Sequence, residues 1–169
     1  MPFMPRSGEP RDRQLIGWKE YVDLPELGVR GLKAKVDTGA RTSSLHVDAL
    51  RIEQRHPDGT AEVSFEVPLD RRRPERRVRA RARMLGEVKI TDSGGSSEVR
   101  PLIETELVVG PVTKRILLTL TNRTGMLFRM LLGRKTLEGD FIVDVASKYV
   151  TGGRRAARAR AAAAAGEGA

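Results

Sequence analysis

The apolar positions of this chain fall in short runs rich in Val, Ile, Leu and Thr, broken at close intervals by Gly, Pro, Asp and Asn. That punctuation is the signature of β strands joined by turns, because an amphipathic helix needs its apolar stripe to recur at every third or fourth residue over roughly ten positions or more. The pattern predicts strands over Leu15–Val22, Val29–Val36, Ser44–Glu53, Ala61–Val67, Arg77–Ile90, Val99–Val109, Val112–Leu120 and Phe141–Val145. The clearest alternation is RVRARARML, where Val78, Ala80, Ala82 and Met84 share one face and Arg77, Arg79, Arg81 and Arg83 the other. Such a strand buries one face and shows water a row of guanidinium groups, as a charged edge that resists aggregation or as a binding surface. One short helix is predicted over Arg134–Glu138, after Gly133 and closed by Gly139. No internal repeat is visible.

With 169 residues the chain can bury one hydrophobic core but is too short for two domains of ordinary size. The boundaries follow from composition. Residues 1–13 are polar and rich in Pro and Arg and are expected to be a disordered leader; residues 14–150 form the domain. Residues 151–169 are an Ala/Arg-rich tail with no apolar periodicity, expected to be disordered because a lone Ala-rich helix of that length is only marginally stable. The architecture expected from the pattern is all-β, a barrel or sandwich.

Cysteine is absent, which removes disulfides, thiolate metal sites and cysteine nucleophiles. No segment has the apolar run of a signal sequence or approaches the length of about eighteen residues that crosses a bilayer, so a cytoplasmic protein with no membrane partner is expected. The net charge of +9 invites a nucleic-acid reading, because proteins that neutralise nucleic-acid phosphates carry such an excess of Arg and Lys. Much of that charge is concentrated in Arg71–Arg83 and in Arg154–Arg160, and with 1 Trp, 2 Tyr and 4 Phe the chain has few stacking platforms for single strands. Nucleic-acid binding through Arg71–Arg83 is therefore a secondary expectation.

The chemistry centres on Ala34-Lys35-Val36-Asp37-Thr38-Gly39-Ala40, a strand running straight into a tight loop that presents a carboxylate. Gly39 permits close backbone approach, the Thr38 hydroxyl both donates and accepts, and Asp37 supplies an acid or base. Taken alone, Asp-x-Gly is also ordinary turn chemistry. Downstream, Met130-Leu131-Leu132-Gly133-Arg134 is an apolar run that ends in Gly-Arg and enters the short helix. Between them lies Asp92-Ser93-Gly94-Gly95-Ser96, a polar hairpin tip with the character of a mobile flap or of a plain exposed turn.

An Asp-Thr-Gly-Ala loop, then a flap-like hairpin, then apolar-apolar-Gly-Arg resembles the order of elements in a retropepsin, the single-lobe aspartic proteases of retroviruses. The similarity sharpens with Gly17-Trp18-Lys19-Glu20, Leu24-Pro25-Glu26-Leu27-Gly28, the stretch KAKVDTGARTSSLH from Lys33 to His46, Glu98 to Ile103, Leu120-Thr121-Asn122-Arg123 and Met126. From about Leu15 to Val150 the chain resembles the bacterial and archaeal family that carries the name ATP-dependent zinc protease and is regarded as retropepsin-like. Val47 and Asp92 depart from that pattern without touching the Asp-Thr-Gly loop.

The resemblance implies an acid-protease barrel with one short helix after Leu-Leu-Gly-Arg, and an aspartic endopeptidase with Asp37, Thr38 and Gly39 at the catalytic loop. It implies that Ala40 and the flap residues Asp92, Ser93, Gly94, Gly95 and Ser96 bind substrate, and that Leu132, Gly133 and Arg134 support the site. Arg41, Arg100 and Arg123 are expected to lock loops, as Arg134 does. Two carboxylates are needed and the chain holds one Asp-Thr-Gly, so a homodimer that brings Asp37 of each copy to a two-fold axis is expected; Asp92 is the rival second carboxylate within one chain. The substrate is a peptide or protein, and family members often lie beside ATP-grasp ligases that add glutamates, which implies an acidic substrate drawn to Arg77–Arg83. The alternatives are a catalytically silent peptide-binding or regulatory module on the same fold, and a basic ribosome- or RNA-associated factor. Neither zinc nor ATP has a counterpart in the sequence: catalytic zinc takes three protein ligands at a spacing such as HExxH, His46 and His56 are the 2 histidines, and no Walker loop occurs. No metal and no cofactor are expected.

Overall fold

The computed structural model of the chain describes residues 12–122 and 127–167. The alternating stretches become strands β1 (Gln14–Gly17), β2 (Lys19–Leu24), β3 (Val29–Val36), β4 (Ser43–His46), β5 (Asp48–Glu53), β6 (Ala61–Pro68), β7 (Arg77–Thr91), β8 (Ser97–Val109), β9 (Val112–Thr121), β10 (Met130–Leu132) and β11 (Phe141–Asp144). Two helices join them, α1 (Arg134–Leu137) and α2 (Arg154–Glu167).

Strands β2, β3, β10, β4, β9 and β8 lie side by side in that order, and the pairing of Asp23 with Val108 joins β2 back to β8, so the six close into a barrel. Strands β7, β6 and β5 extend the sheet beyond β8 as an antiparallel meander, while β1 and β11 form a separate parallel pair. The architecture is a mostly-β barrel, as expected, with α1 directly after Leu-Leu-Gly. Its core follows the period-two rule: Met130 and Leu132 of β10 are fully buried, and Leu32, Leu45, Ile103 and Leu118 join them from the strands around. Burying each such side chain stabilises the fold by about 1.5–3 kcal/mol.

The structure divides two stretches that read as single strands. Leu15–Val22 breaks at Trp18, whose N–H donates to the Ser147 carbonyl at 2.9 Å, so β1 pairs with β11 and β2 with β3. Gly17 permits that crossing, since a Cβ there would lie 2.4 Å from the Ser147 oxygen. Ser44–Glu53 likewise breaks at Val47, whose N–H is taken by Thr121.

The expectation for residues 1–13 falls almost wholly outside the described residues. The expected disorder of 151–169 is not what the structure shows, because Arg154–Glu167 is helical. A lone helix of this length would be marginal, and docking supplies the difference. Ala157 is buried opposite Gly31, whose missing side chain (φ +63°) lets the helix approach, and Arg160 Nε donates to Asp23 Oδ2 at 3.2 Å.

Candidate active site

Strand β3 ends at Val36, whose N–H is held by the Trp18 carbonyl, and Asp37 follows with its own N–H donating to the Leu132 carbonyl at 2.9 Å. The chain then turns tightly. The Gly39 N–H donates to Asp37 Oδ1 at 3.0 Å and the Ala40 N–H to the Asp37 carbonyl at 3.2 Å. The Asp37 side chain is half-buried, and Thr38 and Gly39 are exposed.

The Gly-Arg element laces this loop from beneath. The Arg134 N–H donates to the Ala40 carbonyl at 2.8 Å and the Lys135 N–H to the Arg41 carbonyl at 3.0 Å, while Arg134 Nη1 reaches the Thr38 carbonyl at 2.9 Å. The Gly133 N–H donates to Ser43 Oγ at 3.0 Å, and that hydroxyl shares a hydrogen bond of 2.6 Å with Thr136 Oγ1. Leu132, Gly133 and Arg134 therefore meet the Asp37 loop through backbone and guanidinium contacts. Arg134 acts on the loop itself and not on α1 alone.

Gly133 is sterically committed as well. A Cβ there would stand 2.7 Å from the Thr42 carbonyl carbon and 2.9 Å from its oxygen, both backbone atoms that cannot swing aside. Gly133→Ala is expected to destabilise the protein by about 1–3 kcal/mol and to displace the Asp37 loop. Thermal unfolding checks this against Gly153→Ala, where nothing lies within 4 Å of the added Cβ.

Asp37 opens onto a cleft of about 1060 Å³ whose far wall is the β7–β8 hairpin, including Val88 to Ser93. Ala40, Asp92 and Ser93 line it with Asp37, whereas Gly94, Gly95 and Ser96 form the exposed tip of the hairpin, outside that lining. Asp92 builds the tip: its Oδ1 accepts from the N–H groups of Gly94 and Ser96, each at 2.9 Å. Six basic side chains also border the cleft, Arg41, Lys89, Arg100, Arg115, Arg134 and Lys135, against the two carboxylates Asp37 and Asp92. Sequence patterning did not single out Lys89, Arg115 or Lys135, which strand register and barrel curvature bring to the cleft. Arg100 is buried and its Nε donates to Glu98 at 2.9 Å, a locking role like that of Arg134. Arg41 contributes its carbonyl to the lacing, and its exposed side chain faces the cleft. Arg123 and Met126 lie outside the described residues.

The arginine row of β7 is met by acids across the sheet. Arg77 Nη1 donates to Glu66 Oε2 at 2.8 Å, Arg79 Nε lies 3.4 Å from Glu66 Oε1 and Arg81 Nη2 lies 3.5 Å from Glu53 Oε2. The hydrogen bond from Arg77 holds the Glu66 carboxyl below the usual range. Much of that row's charge is thus balanced locally.

His46 is buried with Nε2 3.4 Å from Asp48 Oδ1, His56 sits in an exposed turn, and no group of three or more His, Cys, Asp or Glu among the described residues is placed to hold a metal ion. Among the same residues no helix is long and apolar enough to cross a membrane.

Residues 15–153 match a family described as RimB-like, retropepsin-like aspartic endopeptidase RimB. A protein of Desulfotalea psychrophila named probable alpha-L-glutamate ligase is 42% identical over 143 residues, which cover 83% of this chain and 30% of that protein. One of the same name from Parasynechococcus marenigrum is 39% identical over 142 residues, again 83% of this chain and 30% of the relative. The chain thus spans about 30% of the length of these curated relatives. The crystal structure of a Legionella pneumophila protein of unknown function (DUF785) superposes with a TM-score of 0.66 at 25% identity, covering 83% of this chain and 99% of that one.

Proposed function

The chain belongs to the RimB-like family of retropepsin-like aspartic endopeptidases, and from that premise we propose that it hydrolyses peptide bonds with water activated at Asp37. The observation that carries this is the placement of Asp37: a half-buried carboxylate on a loop laced by Gly133 and Arg134, open to a cleft under a hairpin. A binding surface has no need of an acid held so firmly at the floor of a groove.

The mechanism needs a second carboxylate close to the first. Two such groups cannot both ionise cheaply, so they share one proton and titrate as a pair. The ionised member takes a proton from water as the oxygen attacks, and the protonated member donates to the scissile carbonyl oxygen. Asp92 is a poor source for that partner, because its Oδ1 is committed to two N–H groups of the hairpin tip. The partner is Asp37 of a second copy. The exposed Thr38 and Gly39 are what such a copy would cover, and a two-fold axis between the loops completes the site.

The substrate is an acidic peptide. Arg41 and Lys89 on the border of the cleft support this, whereas Arg100, Arg115 and Lys135 are met by glutamates, and the name of the relatives, a ligase of glutamate, points the same way. The Arg41→Gln/Lys89→Gln variant is expected to raise KM about tenfold for glutamate-containing peptides while leaving neutral peptides unchanged, whereas Arg79→Gln/Arg81→Gln, on the balanced row, changes neither. Equal effects on acidic and neutral peptides would remove the electrostatic part of the proposal.

A second function keeps the fold without turnover: a peptide-binding module that serves a glutamate ligase. The matches to part of proteins so named favour it. A peptide-library cleavage assay from acid to neutral pH separates the two, since only the peptidase yields products that depend on Asp37.

A further inference from the structure

A second cavity, of about 390 Å³, lies between β3, the 69–76 loop and α2, and it shares no lining residue with the Asp37 cleft. Its electrostatics are lopsided. Eight basic side chains border it against one carboxylate, Asp70. Asp70 is occupied: its Oδ1 accepts from the Arg72 N–H at 2.9 Å and its Oδ2 lies 3.8 Å from Arg76. The backbone hydrogen bond from Arg72, with Arg76, Arg73 and Arg154 nearby, keeps its carboxyl below the usual range, so it stays ionised. Arg30 turns to Asp23, at 3.8 Å. That leaves Lys33, Arg71, Arg72, Arg129, Arg154 and Arg158 facing one space with no carboxylate paired to them among the described residues.

Arg129 is half-buried, and its Nε atom is buried with no hydrogen-bond partner. A buried guanidinium donor left unmade is costly, and five like charges around it add to the cost. The contrast with β7 is instructive, because there each of Arg77, Arg79 and Arg81 meets a glutamate across the sheet. The chain balances arginine rows where they are structural and leaves this one unbalanced.

We propose that the cavity formed by Arg129, Arg154, Arg158 and the Arg71-Arg72 loop is a binding site for a multiply charged phosphate, of the diphosphate class. Planar guanidinium forks match phosphate oxygens two at a time, and a diphosphate brings more charge per volume than separate carboxylates can. The site joins segments far apart in sequence. Because α2 supplies Arg154 and Arg158 while Ala157 packs on Gly31, the anion ties α2 to the 69–76 loop and relieves repulsion between them. The site is independent of Asp37.

Calorimetric titration of the full chain with sodium pyrophosphate at about 0.15 M salt tests this, with hydrogen exchange over residues 154–161 as a second readout. The expected result is one saturable site, slower exchange in α2 on binding, and affinity at least about tenfold weaker in Arg154→Gln/Arg158→Gln and in Arg129→Gln, with Arg79→Gln/Arg81→Gln and Asp37→Asn unchanged. The proposal is overturned by heats no larger than those of chloride at matched ionic strength, by equal weakening in Arg79→Gln/Arg81→Gln, or by RNA or an acidic peptide binding through these residues where pyrophosphate does not.

Discussion

Asp37→Asn is expected to lower peptide hydrolysis by about 10²–10⁴-fold or more while leaving the fold and the assembly as they are. The substitution keeps size and shape, and the Asn carbonyl oxygen can still accept the Gly39 N–H that now donates to Asp37 Oδ1 at 3.0 Å. The Asp37 N–H bond to Leu132 and the Arg134 bond to the Thr38 carbonyl involve no side-chain atom of residue 37 and survive unchanged. What disappears is the shared proton, because an amide neither takes a proton from water nor hands one to the scissile oxygen. Circular dichroism, thermal unfolding and sedimentation should match wild type. Turnover within about twofold of wild type would place the chemistry elsewhere.

Glu20→Ala is expected to cost about 3–5 kcal/mol, a fall of roughly 10 °C in unfolding midpoint for a chain of this size. Glu20 is fully buried, and its carboxylate accepts from the N–H of Gly17 at 2.9 Å, from the N–H of Val150 at 2.8 Å and from the Thr151 hydroxyl at 3.0 Å. One side chain thereby pins the Gly17 crossing and the segment before α2 onto β2. Removing it strands one buried donor and several part-buried ones at once, and hydrogen bonds to a charged acceptor are the stronger kind. Since β2 pairs with β3, which carries Asp37, loss of this pin reaches the site by loosening the strand that aims it. Thermal unfolding checks the value. A midpoint within about 2 °C of wild type would mean that the C-terminal segment is held by something other than Glu20.

Much of the barrel and the loop that carries Asp37 could be read from the chain. Period-two alternation survives in β7, where Ala80 and Met84 are buried and the arginines are exposed, because one residue per step is all that face selection requires. Asp37 at the end of an apolar strand, and Gly133-Arg134 downstream, were legible because their chemistry is local.

What escaped is what depends on distant residues. With three residues, β10 is too short to show a period, yet it sits between β3 and β4 and carries the Leu132 carbonyl that receives the Asp37 N–H. Glu20 and Asp23 are acidic letters in a polar-looking stretch, and burial becomes visible only when their donors arrive from residues such as Thr151 and Gly31. Helix α2 lacks an apolar stripe and docks through one alanine and one ion pair, which no periodicity can announce. The arginine row of β7 looked open because its partners, Glu66 and Glu53, are set by strand register. The diphosphate cavity is assembled from β3, a loop, Arg129 and α2, so its charge density exists only in the folded chain.

The central claim is that each working site takes one Asp37 from each of two chains. It is tested most directly by measuring cleavage in mixtures of wild type and Asp37→Asn, refolded together at constant total protein so that the subunits assort at random. A shared pair makes activity fall as the square of the wild-type fraction, to about one quarter in an equal mixture. A fall in direct proportion to that fraction, or unmixed wild type with no turnover, would contradict the account.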